Sequence, residues 1–168
     1  MILFMKEKDT AFKDRFFVKD EQDNTVFTVE GKHLSLSKKL SILDTQDREL
    51  AVVQRKAFAL TTKYAVLVED EEVAEIHKEK PLLGKPFYKV DGPNWTVDGD
   101  IWDRDYKIRR NMNVIADISV PKLSTAGTYK LNILKDINPL MIVAVVTAID
   151  CILDAEGEEA VNANNTEK

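Results

Sequence analysis

The sequence holds one cysteine, Cys151, in 168 residues, so no internal disulfide can form and a reducing compartment is expected. It has no excess of basic charge. The formal net charge is -5 and the pI about 5.2, whereas neutralising a run of phosphates needs a basic surface, so no nucleic-acid partner is expected. No signal-type core is expected at its start, because the apolar run Met1-Ile2-Leu3-Phe4-Met5 is short and meets Lys6 and Glu7. The expected location is cytoplasmic. A peripheral place on a membrane stays open, since an acidic balance weakens attraction to anionic headgroups without excluding it.

Patterns that carry chemistry are also scarce. His33 and His77 are the only histidines, and neither stands beside a cysteine, so no zinc spacing is present. There is no Gly-rich phosphate loop and no GxSxG elbow. The run Glu69-Asp70-Glu71-Glu72 lacks the spaced oxygen ligands of a calcium loop and reads as a solvated hairpin. Cys151 lacks a partner motif and suits a small buried apolar role. These absences point away from an enzyme, and no cofactor or metal is expected.

What the chain does have is alternation. Leu34, Leu36, Leu40 and Ile42 oppose Ser35, Ser37, Lys39 and Ser41; Met112, Val114, Ala116, Ile118 and Val120 oppose Asn113, Asp117 and Ser119; Tyr129, Leu131 and Ile133 oppose Thr128, Lys130 and Asn132. Period two means strands with one dry and one wet face. Nine further strand candidates, near 2–7, 14–19, 25–31, 49–57, 63–69, 72–79, 86–90, 94–98 and 104–109, are separated by short Asp-, Asn- and Gly-bearing turns. About twelve short strands imply a sandwich or a barrel. Trp95 and Trp102 flank an expected turn at Asp98-Gly99-Asp100, as core or rim residues or as a partner surface.

One segment breaks the pattern. Asn138-Pro139 supplies a cap and a first-turn proline, and Leu140 to Ile149 is apolar around its whole circumference. Such a helix must be buried in protein or in lipid. Pro139 to Leu153 is about 22 Å long at 1.5 Å per residue, against roughly 30 Å of hydrocarbon. Asp150 also lies inside it, where a carboxylate in lipid is costly. No transmembrane span is expected. A barrel wider than about eight strands needs filling by more than side chains, so the fold expected is all-β with one buried helix: a closed antiparallel barrel of about twelve strands around the hydrophobic C-terminal helix. Residues 1–156 form one domain in this reading. Gly157 ends the helix, and 157–168 is a disordered polar tail.

Particular segments resemble a known family. Val26-Phe27-Thr28-Val29-Glu30-Gly31-Lys32, then Leu34-Ser35-Leu36 and Leu40-Ser41-Ile42-Leu43-Asp44, then Glu49 to Lys56, Tyr129 to Ile133 and the closing Ala144 to Asp150 together resemble LURP-one-related proteins. The resemblance implies the tubby C-terminal-like fold shared with phospholipid scramblases, a twelve-stranded barrel threaded by a C-terminal helix. It departs from the scramblases: Leu134 to Pro139 offers only Asp136 and Asn138 where an acidic calcium segment is described, and a Pro-rich N-terminal region and cysteine cluster are missing. Tubby domains bind phosphoinositides through basic strand residues, and the nearest local candidates are Lys32, Lys38, Lys39, Arg55 and Lys56. Lys38 shares the parity of the apolar face, so it either contacts an anion at the barrel end or escapes through a bulge. Asp150 is expected to be tied to a partner where the helix leaves the barrel. The functional expectation is a non-catalytic binding or adaptor module for a protein or a phospholipid headgroup, with scramblase-type lipid movement or membrane anchoring as the alternative.

Overall fold

Twelve strands precede one helix in the computed structural model, which describes residues 1–7, 15–31, 39–122 and 127–166. The strands are β1 (Ile2–Glu7), β2 (Arg15–Lys19), β3 (Thr25–Gly31), β4 (Lys39–Leu43), β5 (Glu49–Arg55) and β6 (Lys63–Val68), followed by β7 (Glu71–Glu79), β8 (Phe87–Asp91), β9 (Trp95–Asp100), β10 (Asp105–Arg110), β11 (Asn113–Ser119) and β12 (Thr128–Ile133). Each pairs antiparallel with its sequence neighbour, and β1 pairs with β12 to close the cylinder, Leu3 opposite Leu131 and Met5 opposite Tyr129.

Helix α1 (Pro139–Thr166) threads the lumen. The Asn138 side-chain oxygen accepts the Leu140 amide at 3.0 Å, satisfying one of the free amides of the first turn. Every residue from Ile142 to Ile149 is buried, and the Thr147 hydroxyl donates to the Val143 carbonyl at 2.8 Å. β-Branched residues have modest helix propensity, so burial against the inward side chains of the strands holds this segment helical.

Three expectations are corrected. The alternation from Met112 to Val120 does not run through: Ala116 pairs with Ile108 and Val114 with Arg109, which leaves Ile115 as an extra bulge residue. Ile115, Ala116 and Ile118 therefore face the core, while Met112 and Val120 are exposed. The turn between the tryptophans lies at residues 101–104, not at Asp98-Gly99-Asp100, which belong to β9; Trp95 points into the core and Trp102 into water. The helix does not stop at Gly157 but continues to Thr166. Gly157 is absent from the left-handed conformations that end helices, and its cost in a helix interior is only about 1 kcal/mol. Glu156, bound to Lys78 at 2.8 Å, holds the turn before it.

Antiparallel order gives the cylinder two unlike ends. One, the turn end, carries the hairpins at 20–24, 44–48, 69–70, 92–94 and 111–112 and the start of α1. The other, the loop end, carries the connections 56–62, 80–86 and 101–104 and the exit of α1.

Candidate functional site

The loop end collects side chains that a barrel wall does not need. Phe58 and Leu60 in the first of its connections and Leu82 in the second are fully exposed, and Leu83 and Trp102 are 88% and 58% exposed. Single exposed apolar residues are ordinary; five of them on three neighbouring connections of one end make a surface suited to contact. The local sequence explains the geometry. Pro81, Gly84 with φ +103° and Pro86 hold the 80–86 connection away from the ladder, and Leu82 and Leu83 sit at its crest.

Charge separates along the barrel axis. Within the described loop-end connections Lys56, Lys80, Lys85 and Arg104 stand against Asp103, with Glu79, Asp100 and Asp105 at the adjoining strand ends. The hairpins of the turn end carry Asp20, Glu21 and Asp23, then Asp44 and Asp47, then Glu69 and Asp70, against Arg48. A chain of negative net charge thus carries more basic than acidic side chains in its described loop-end connections, beside the exposed apolar crests.

The exit of the helix is tied down at this end. Asp150 accepts a hydrogen bond from the Tyr129 hydroxyl at 2.8 Å, and the Arg104 guanidinium lies 3.5 Å from the same carboxylate and 4.8 Å from the Tyr129 ring centre. The expected tether of Asp150 is present. Burial, then the Asp150 charge, pushes the Tyr129 phenol well above its ordinary range, so it stays a donor. Burial does the same to the Cys151 thiol, which keeps it protonated and unreactive. Beside the exit, a groove of about 730 Å³ runs between β8 and β9, with Lys78, Lys85, Tyr88, Gly99 and Trp102 among its walls.

The basic residues singled out in the sequence separate in space. Lys39 begins β4, exposed, opposite Gln54, and Arg55 ends β5 opposite Tyr64; both stand at the loop end. Lys56 is turned onto the outer wall, where it donates to Glu72 at 2.9 Å and Glu75 at 2.6 Å. Lys32 and Lys38 lie outside the described residues. Reasoning from basic strand residues passes over Lys80 and Lys85, which lie in a connection. The available signal was an apolar pair, Leu82-Leu83, between two prolines in a linker, where a solvated loop has no use for it.

The family model of LURP-one-related proteins matches residues 1–150 of this chain. The uncharacterized protein YxjI of Bacillus subtilis (strain 168) is 30% identical over 159 residues, covering 95% of this chain and 98% of that protein. An Arabidopsis thaliana protein solved by X-ray shares the fold at a TM-score of 0.64 and 14% identity, over 89% of this chain and 90% of that one.

Proposed function

The chain belongs to the LURP-one-related family, and on that footing we propose that it is a non-catalytic binding module that docks by its loop end onto an anionic membrane surface. The observation that carries this reading is the set of exposed apolar crests, Phe58, Leu60, Leu82, Leu83 and Trp102, flanked by Lys80 and Lys85 on an otherwise acidic molecule. Apolar tips enter the headgroup boundary, and each lysine near an anionic surface contributes about 1 kcal/mol. The lumen is filled by α1, so a ligand inside the barrel does not fit. Among the described residues no helix is long and apolar enough to cross a membrane.

Sedimentation with phosphatidylcholine vesicles, with and without phosphatidylserine, tests this. The intact chain binds the anionic vesicles, more weakly as salt rises. Lys80→Ala with Lys85→Ala weakens binding about 30-fold, at roughly 1 kcal/mol per lysine. Leu82→Ser with Leu83→Ser weakens it without lowering the melting temperature. Failure of the intact chain to bind, or equal binding to neutral vesicles, overturns the lipid reading. Lipid flipping in the same vesicles would favour the scramblase-type alternative.

A second reading, a protein partner on the same surface, is favoured by the end of α1. Glu159 lies exposed where the helix leaves the barrel at this end, and its charge opposes an anionic membrane.

A further inference from the structure

On the outer wall of the barrel, away from the loop-end surface, we propose that Glu75, His77 and Asp91 form a binding site for a divalent transition-metal ion of the zinc class. The strand builds the site. Residues two apart share a face, so Glu75, His77 and Glu79 of β7 project together, and the register sets Asp91 of β8 directly opposite Glu75. Two carboxylates in directly opposed positions repel each other.

His77 stands between them. It is 9% exposed, and its Nε2 lies 2.9 Å from Glu79 Oε1. With Glu79 accepting a hydrogen bond from Nε2–H, Nδ1 of the neutral ring carries a lone pair. This Nδ1 is buried without a hydrogen-bond partner, 3.7 Å from Glu75 Oε1 and 3.6 Å from Asp91 Oδ2. The three atoms all lie within 4.8 Å of one another. A lone pair facing two carboxylates is an arrangement that a cation among them stabilises. Zinc takes nitrogen and oxygen ligands at about 2.0–2.2 Å, which sets tetrahedral ligand atoms about 3.3–3.6 Å apart, so small side-chain shifts complete the set. Three protein ligands leave the fourth position to water. Glu79 then has the role of the outer carboxylate that fixes the tautomer of a metal-bound histidine.

Three lysines compete for the same carboxylates. Lys56 and Lys63 hold Glu75 at 2.6 and 2.7 Å, and Lys89 holds Asp91 at 3.0 Å. Their side chains are 34%, 33% and 41% exposed, which gives each ammonium a path back to water. They lower the affinity for an ion without occupying Nδ1. The rival occupant of that position is a proton, which would make His77 an imidazolium between the two acids.

Titration of the full chain with Co²⁺, read by its visible absorption, and displacement by Zn²⁺ decide between them. One equivalent binds at neutral pH. His77→Ala and the half-exposed Asp91→Asn each weaken binding tenfold or more, and Glu79→Gln weakens it about 10- to 100-fold. Lys63→Met tightens it by removing a competing cation, and His33→Ala leaves it unchanged. If His77→Ala does not fold, Asp91→Asn carries the test. The proposal is overturned if the folded chain binds no stoichiometric ion, or if binding is indifferent to Asp91→Asn and to His77→Ala.

Discussion

The two ends of the barrel solve the same problem, reversing the chain between antiparallel strands, in opposite ways. At the turn end each reversal is short and internally satisfied. Asp20 Oδ1 accepts the amides of Gln22 and Asn24, both at 2.9 Å, and Asp44 Oδ1 accepts those of Gln46 and Arg48 at 2.8 and 3.0 Å. The same Asp-x-Gln-Asp sequence makes both turns, with Asp23 and Asp47 in the left-handed conformation that aspartate tolerates. At the loop end two of the three described connections, 56–62 and 80–86, are longer, and all three leave large apolar side chains in water. Register is thus fixed at one end and contact surface is left free at the other, so substitutions at the turn end should change stability and substitutions at the loop end should change binding.

The largest expected effect belongs to neither end but to the plug that joins them. Ile142→Ala empties a fully buried position and should cost about 2–5 kcal/mol in denaturant unfolding. A loss below 1 kcal/mol would mean that the ends stand without the plug. Next comes a matched pair of glycines, both at positive φ. A Cβ on Gly92, at the turn end, would collide with the Val73 carbonyl oxygen, whereas one on Gly84, at the loop end, meets only Pro81, at 4.0 Å. Gly92→Ala should cost about 2–4 kcal/mol and Gly84→Ala about 1 kcal/mol, from backbone strain alone. Equal costs would erase the contrast between the ends.

The smallest effect is in acid. Hydrogen bonds from Lys56 and Lys63, only partly offset by burial, bring the Glu75 carboxyl down to about 2. A hydrogen bond from the Asn24 side chain lowers Asp20 most, and one from the Arg48 amide lowers Asp44 most. A carboxylate whose folded value is depressed stabilises the fold above its unfolded value, near 4, and that contribution disappears as pH falls toward the folded value. Melting temperature should therefore decline from about pH 4.5 toward pH 2. Glu75→Gln should flatten part of the decline, while Lys80→Ala and Lys85→Ala, at the loop end, should leave its shape unchanged.

Much of the fold was legible because local chemistry and global need agree. Alternating faces marked the strands, Asn138-Pro139 marked the helix start, and a helix apolar on all sides needed a lumen. Local reading failed where tertiary structure decides. The Ile115 bulge depends on the partner strand β10, so Met112 and Val120 kept their apparent parity in the sequence but lost it in the sheet. Gly157 has the identity of a terminator without the backbone angle. The candidate sites were less legible for the same reason. Glu75 and His77 share a strand face by simple counting, but Asp91 joins them only through the β7–β8 register. Lys56 looked free in the sequence and is held by two acids from β7.

The pairing of β1 with β12, closed around a helix that follows both, also sets a schedule. Synthesis on the ribosome delivers the first strand long before its twelfth neighbour and delivers the filling of the lumen last. The early hairpins can form as they emerge, but closure needs a contact between segments separated by nearly the whole chain, which is the slow kind of contact to make. Until then the inward faces and the two unpaired margins of the growing sheet stand open, and during that interval the nascent chain is most in need of chaperone protection against aggregation.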